Sequence, residues 1–294
     1  MCTLMEKETL TAPKQLKEVV AKHDFKFKKS LGQNFLIDRN ILRKIVDGAQ
    51  ITETDLVLEV GPGAGVLTQA LASRAKRVIA VELDRSLLPI LEETLAGFSN
   101  VEVINGDILK LDLRELFDRY PDKKWKVVAN LPYYITTPVI MRFLEEKLPL
   151  DSLVVMVQKE VAERMIAKPG GKDFGMLSVG VQYHTEPSII TMVPPTVFIP
   201  PPEVGSAVVK LTVRQKPPVE VPEEEGFFRV VKAAFGQRRK TLRNALLGGL
   251  GISKEDVEII LTKANIQGSR RGETLSLEEF AELSRAWWEI KQKV

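Results

Sequence analysis

Leu56-Val57-Leu58-Glu59-Val60-Gly61-Pro62-Gly63-Ala64-Gly65 is the stretch on which the reading of the fold turns. Its first five residues, mostly branched and apolar, read as a buried strand, and a turn with glycine at alternate positions comes next. Val66, Leu67, Ala70 and Leu71 then recur at helical spacing. Strand, glycine turn and helix open an α/β unit, and the glycines indicate that the backbone comes close to something at the turn. The dinucleotide fingerprint needs glycine at position 66, where valine stands, so a pyrophosphate loop is disfavoured.

The same alternation continues outward. Val78–Glu82, Val101–Ile104, Lys126–Ala129 and Leu153–Val157 read as further strands, with helical patterns between them such as Ser86 to Ala96. Strands alternating with helices imply a parallel sheet covered on both faces. The ending differs. Ser188–Val193 and Ala207–Val213 are strand-like, but the Pro-rich run between them is too short for a crossover helix, so these two are expected to pair antiparallel. Lys216 to Pro222 reads as a linker, and the rest of the chain is helical: about Phe227 to Leu247, Ser253 to Ala264, and Ser276 to the end. Upstream of the sheet, Asp38 is placed to cap a helix carrying Ile41, Leu42, Ile45 and Val46. The expected division is an N-terminal extension, frayed or weakly helical, over 1–25, an α/β domain over 26–215, a linker over 216–222 and a helical domain over 223–294.

Composition narrows the function class. The 294 residues are 44% hydrophobic and 28% charged, ordinary values for a globular chain, and no apolar run reaches the length of a membrane span. Cys2 is the single cysteine and His23 and His184 lie far apart, so no disulfide, no metal centre and no His or Cys catalyst is expected. This usage fits a reducing cytoplasm. The net charge of +3 is mild, but its distribution is uneven. Lys26, Lys28, Lys29, Arg39, Arg43 and Lys44 cluster early; Arg229, Lys232, Arg238, Arg239, Lys240 and Arg243 cluster late, and such runs are either solvated faces or phosphate contacts.

Three successive strand ends present candidate ligand groups. Gly61 and Gly63 follow the first strand; Glu82 ends the second, where a carboxylate can take both ribose hydroxyls of an adenosine-like ligand; Asp107 follows the third, where a carboxylate can accept from an adenine amino group. As helix caps, the same acids would be unremarkable structural features. A nucleoside cofactor without phosphates fits this set, and S-adenosylmethionine is the common one. At the next strand end stands Asn130-Leu131-Pro132-Tyr133-Tyr134. There an amide oxygen and a neighbouring carbonyl can accept both hydrogens of an exocyclic amino group while a tyrosine ring stacks on the base. Gln33 and Asn34 are good hydrogen-bonders in an aperiodic stretch, fit either to cap the next helix or to wall a pocket.

With these residues in view the chain resembles the ribosomal RNA adenine N6,N6-dimethyltransferases, and within them the bacterial small-subunit (16S) group. The resemblance runs from about Lys28 to the helical tail, and rests on Leu31 to Leu36, Glu59 to Gly65, Asn130 to Tyr134, Val197 to Pro202 and Ala234 to Leu242. The triple proline after Phe198-Ile199 is its mild departure. It implies a Rossmann-like class I methyltransferase sheet, mostly parallel with the last strand antiparallel, and a small all-helical C-terminal domain that binds RNA. It implies that Asn34, Leu36, Gly61, Gly63, Glu82, Asp107 and Asn130 bind S-adenosylmethionine. Asn130, Leu131, Tyr133 and Phe198 would form the catalytic set, the two rings sandwiching a flipped-out adenine. Lys28, Lys29, Arg238, Arg239, Lys240 and Arg243 would contact RNA, the late cluster from a helix. The implied substrate is a pair of adjacent adenosines in a 3′-terminal hairpin of 16S rRNA within an immature 30S subunit, acted on by a monomer. Two other readings are a 23S rRNA adenine methyltransferase of the macrolide-resistance type and an RNA-binding assembly factor with secondary catalysis.

Overall fold

A computed structural model describes residues 13–28, 31–121, 124–237 and 239–292. Its contacts divide the chain into two compact units: 1–162 with 187–213, and 163–186 with 214–294.

The first unit is built on a seven-stranded sheet. In chain order the strands are β1 (Phe35–Leu36), β2 (Leu56–Val60), β3 (Arg77–Glu82), β4 (Val101–Asn105), β5 (Trp125–Asn130), β6 (Leu150–Gln158), β7 (Thr185–Val193), β8 (Phe198–Ile199) and β9 (Ser206–Val213). The sheet order is β4-β3-β2-β5-β6-β9-β7, while β1 and β8 form a separate antiparallel pair. From β4 to β6 every pairing is parallel, and β9 runs antiparallel to β6. Every residue of β2 is buried, as a central strand covered on both faces requires.

The order reverses at β2. The chain steps outward through β3 and β4, then returns to place β5 on the other side of β2. That switch opens a crevice at the carboxyl ends of β2 and β5, where ligands bind in such sheets. Val60 pairs with Val81 on one side and Ala129 on the other, so the Gly61 turn, Glu82 and Asn130 emerge one step beyond a shared register.

Within the described part of the N-terminal extension, Pro13–Lys22 is a well-formed helix. Leu16 and Val20, four residues apart, pack in a cluster with Phe35, Leu87 and Leu91, and Lys22 and His23 pair with Glu93. Of the two expectations for this extension, frayed or weakly helical, the described part is helical, held by this apolar stripe. Cys2 lies outside the described residues.

The second unit is helical, with helices at Met176–His184, Glu224–Phe235, Leu242–Leu250, Lys254–Lys263 and Leu277–Lys291. The linker alone does not mark its boundary. Residues 163–186 belong to it because Phe174, Val179 and Tyr183 pack in its core, Tyr183 stacking on Phe227 at 4.9 Å. The helix expected from Phe227 to Leu247 is two helices. Chain after Phe235 turns at Gly236, Lys240 N–H donates to the Gln237 carbonyl, and Leu242 starts the next helix. Trp287 is buried there, and the His184 ring stacks on Phe228 at 5.5 Å.

Candidate active site

The crevice of the first unit is a cavity whose walls come from four strand ends and the segment before β1. Leu31–Leu36, Glu59–Ala64, Val81–Leu83, Gly106–Ile108 and Asn130–Ile135 line it. Asn34, Leu36, Gly61, Gly63, Glu82, Asp107, Asn130, Leu131 and Tyr133 are therefore brought together from widely separated parts of the sequence.

The glycine turn is a backbone cradle. Gly61 has φ +69° and Gly63 φ +59°, the left-handed region that favours glycine, and a Cβ on Gly63 would stand 3.1 Å from the Phe35 ring. Gly63 N–H donates to Glu82 Oε2 at 3.3 Å, and the Asp84 N–H donates to Glu82 Oε1 at 2.7 Å. Two backbone donors thus set the carboxylate plane of Glu82. Asp107 accepts the Leu109 N–H through Oδ1 at 3.0 Å, so it does cap a turn, yet it also lines the cavity. The loop that carries it is held by Arg142, which donates to the carbonyls of Ile108 and Leu111.

Charge in this cavity is one-sided. Glu59, Glu82 and Asp107 line it, and no Lys, Arg or His is among its described walls. Glu59 is 1% exposed, its Oε2 is buried without a hydrogen-bond partner, and burial pushes its carboxyl up to about 8 against the Thr68 hydroxyl beside it, with Glu82 adding to the rise. Burial also raises Glu82, against the N–H groups of Asp84 and Gly63. With Glu59 protonated near neutral pH, Glu82 and Asp107 leave walls that repel phosphates and attract a phosphate-free, positively charged nucleoside. A sulfonium-bearing adenosine satisfies that requirement.

Asn130 leaves β5 beside this cavity. Its Nδ2 donates to the Asn34 carbonyl at 3.0 Å, which commits the nitrogen end of the amide and leaves Oδ1 as the acceptor end. Leu131 is buried, its N–H donating to the Met156 carbonyl at 3.2 Å. The Tyr133 hydroxyl shares a 2.8 Å hydrogen bond with Ser206 of β9, fixing one end of the ring, and Tyr134 stands 53% exposed at the rim.

Phe198 lies on β8. The ring is 3% exposed, is not among the cavity walls and packs in the apolar cluster with Leu36, Leu42 and Val208. β8 pairs antiparallel with β1, setting Phe198 opposite Leu36, and that register turns the ring into the core. The second ring of the expected sandwich is thus buried in this structure, packed against Leu36 of the cavity wall.

The basic residues separate into distinct environments. Lys28 Nζ bonds Asp84 Oδ1 at 2.6 Å, and Arg243 pairs with Glu258. Arg239 and Lys240 are exposed, on the turn between two helices and not on a helix face. Lys29 and Arg238 lie outside the described residues. Sequence reasoning missed Asp84, Ser206 and Arg142 as supports of the site. For Asp84 a signal existed in its position two residues after Glu82, but its partners come from another part of the chain.

A doubly wound sheet with a glycine turn, a buried acid at the next strand end and an acid-lined cavity at its switch point defines a class I S-adenosylmethionine-dependent methyltransferase. Comparison with known proteins is more specific. The family described as ribosomal RNA adenine dimethylase matches residues 24–283. The chain is 56% identical over 279 residues to the ribosomal RNA small subunit methyltransferase A of Alkaliphilus oremlandii, covering 94% of this chain and 97% of that one. It is 54% identical over 279 residues to the protein of the same name from Clostridioides difficile, covering 94% and 96%. Among solved structures it is similar to a dimethyladenosine transferase from Plasmodium falciparum, with TM-score 0.71 and 26% identity over 88% of this chain and 98% of that one. The 23S rRNA methyltransferase ErmE is similar with TM-score 0.66 and 28% identity, over 86% and 99%. The chain belongs to the ribosomal RNA adenine dimethylase family and is an S-adenosylmethionine-dependent rRNA adenine dimethyltransferase. No described helix is long and apolar enough to cross a membrane, and no cluster of three or more metal-ligating side chains occurs among the described residues.

Proposed function

We propose that this enzyme converts two adjacent adenosines of a 3′-terminal hairpin in 16S rRNA to N6,N6-dimethyladenosines, acting as a monomer on immature 30S particles in the cytoplasm. The observation that supports the reading is the hydrogen bond of Asn130: its nitrogen donates to the Asn34 carbonyl, which leaves the amide oxygen as the acceptor end.

Adenine N6 is a poor nucleophile because its lone pair is delocalised into the ring. The Asn130 Oδ1 and the Leu131 carbonyl accept its two hydrogens and draw the nitrogen toward a tetrahedral geometry. The lone pair is then directed to the cofactor side of the cavity, an effect of orientation and proximity. Tyr133, pinned through its hydroxyl to Ser206, stacks on the base, a contact worth about 1–3 kcal/mol. S-adenosylmethionine, when bound, supplies an electrophilic methyl group on a positively charged sulfur. Glu82, Asp107, Gly61 and Gly63 hold its nucleoside portion, with Asn34 and Leu36 closing the wall. The alkylated nitrogen sheds its proton readily, so no strong base is required. After one methylation a single N–H remains, and one acceptor suffices for the second round.

Arg239 and Lys240 contact RNA phosphates from the second unit, joined by Arg238 and Lys29, while Lys28 contributes less because Asp84 already pairs with it. Arg243 contributes less because Glu258 already pairs with it. The similarity to the small-subunit relatives, 54–56% identical, favours 16S over 23S rRNA. Purified enzyme incubated with labelled cofactor and immature 30S particles, free 16S RNA, 50S particles or DNA tests the proposal. Label on two adjacent adenines of 30S RNA is expected; label on 50S or DNA, or RNA binding without label, overturns it.

A further inference from the structure

Asp84 sits outside the set of cofactor and adenine ligands, yet it is 4% exposed and collects more charged and polar partners than any of them. Its Oδ1 accepts from Lys28 Nζ at 2.6 Å, Ser86 N–H at 3.0 Å and the Ser86 hydroxyl at 2.6 Å. Its Oδ2 accepts from Gln33 Nε2 at 2.8 Å. The Gln33 side chain is itself clamped from behind, because the Lys28 N–H donates to its Oε1 at 2.7 Å. Meanwhile the backbone N–H of Asp84 donates to the Glu82 carboxylate at 2.7 Å. One residue therefore grips the segment before β1 through its side chain and the ribose-facing acid through its backbone.

The far end of that segment reaches the chemistry. Gly32, Gln33, Asn34 and Leu36 wall the cavity, Asn34 Nδ2 donates to the Gly32 carbonyl at 3.1 Å, and the Asn34 carbonyl takes the Asn130 amide at 3.0 Å. Residues 32–36 form a strap fastened at two adjacent residues, Gln33 to Asp84 and Asn34 to Asn130. We infer that Asp84 is a positioning residue that sets the strap over the cofactor and, through Asn34, sets the rotation of the Asn130 amide, so that cofactor capture and alignment of the target nitrogen depend on one buried carboxylate. This rests on the reading of Asn130 as the amide that orients adenine N6.

Charge supports the assignment. Burial opposes ionisation of Asp84, but hydrogen bonds from Lys28, Ser86 and Gln33 outweigh it and hold the carboxyl down at about 2. The latch is thus charged at any pH at which the enzyme is assayed. Its partners also have complementary roles that can be exchanged. Gln33 Oε1 accepts and Nε2 donates; Asp84 Oδ1 accepts from Lys28 and Ser86, while Oδ2 accepts from Gln33. Exchanging the two head groups conserves the donor–acceptor pairing between them and the net charge.

The experiment compares wild type with Gln33→Glu, Gln33→Ala and the Gln33→Glu/Asp84→Asn double variant. It reads S-adenosylmethionine Kd by calorimetry, thermal melting, and kcat and KM on immature 30S particles. Gln33→Glu sets two carboxylates face to face. It is expected to weaken cofactor binding roughly tenfold or more and to lower kcat as well, since hydrogen bonds to charged groups are worth that much. Gln33→Ala loses the arm without adding charge and is expected to show the same loss to a smaller degree. The double variant is expected to return Kd and kcat to within about threefold of wild type, because the pair is rebuilt with its polarity reversed. A double variant no better than Gln33→Glu, or a Gln33→Ala variant that binds and turns over like wild type, overturns the inference. If Gln33→Glu does not fold, the alanine and double variants still decide. Failure of wild type to methylate 30S particles would contradict the proposed function instead, and the cofactor Kd series would still judge the strap.

Discussion

Asn130 at the end of β5 and Asn34 beside β1 are joined by a 3.0 Å hydrogen bond from side-chain amide to backbone carbonyl, across 96 residues of chain. The bond ties the segment walling the cavity to the amide proposed to receive the substrate. It also decides which end of that amide is the acceptor, a matter the residue's identity alone leaves open.

Glu82 provides the first test of the cofactor site. Replacing it with Gln keeps the shape and removes the charge that accepts from two ribose hydroxyls. S-adenosylmethionine Kd is expected to rise roughly 10- to 100-fold by calorimetry, as for a lost charged hydrogen-bond pair. The wild-type carboxyl is raised by burial, so binding is expected to weaken on acidification at a pH above the usual carboxylate range. The Gln variant should lack that part of the pH dependence.

Glu59 makes a signed statement about stability. Its folded carboxyl is raised from the ordinary 4.5 to about 8, so the folded state holds a proton that the unfolded chain releases near 4.5. Unfolding is therefore favoured progressively as pH rises through that window. Glu59→Gln is expected to flatten the decline, and its Tm advantage over wild type should grow between about pH 5 and pH 8. Parallel Tm–pH curves for the two proteins would contradict this.

Phe198 is expected to behave as a core residue. Phe198→Ala should cost about 3–5 kcal/mol in denaturant unfolding, as a buried ring does. Because Phe198 pairs with Leu36 of the cavity wall, cofactor binding and RNA methylation should fall together. A stable variant with intact cofactor affinity and lost methylation would put the ring back against the adenine.

Arg239 and Lys240 are tested by salt. Changing both to Ala should reduce the slope of log K against log salt for 16S RNA by roughly 1.5 to 2, while Arg243→Ala should change it less. The ion pair of Arg243 with Glu258 is the reason for the difference. An unchanged slope in the double variant would remove this turn from the RNA surface.

The main sheet was legible because its strands are continuous apolar runs, and because each ends in a glycine, an acid or an amide. β2 to β6 fall where the pattern sets them, and so does the Asp38 cap, which accepts from Asn40 and Ile41 at 2.8 and 2.9 Å. β1 and β8 were not legible. Two residues have no period, and each exists as a strand only because the other is there. That same pairing buries Phe198, so the packing of its ring was equally hidden. The run from Gly236 to Thr241 misled in another way: its composition suits a helix face, but Gly236 and the Lys240–Gln237 turn interrupt the helix. Asp84 was invisible because its importance comes from Lys28 and Gln33, more than 50 residues earlier. Glu59 stood in the quoted motif, but sequence could not show that no partner meets its buried oxygen.

The most direct measurement is single-turnover methylation of immature 30S particles by wild type and Asn130→Ala, with cofactor Kd determined in parallel and the modified bases mapped. Wild type is expected to place four methyl groups on two adjacent adenines near the 3′ end of 16S rRNA. Asn130→Ala is expected to lose roughly 100-fold or more of the rate, the scale of removing one aligned transition-state hydrogen bond, while its cofactor Kd changes far less. A methylation rate unchanged by Asn130→Ala would contradict the adenine clamp at its centre.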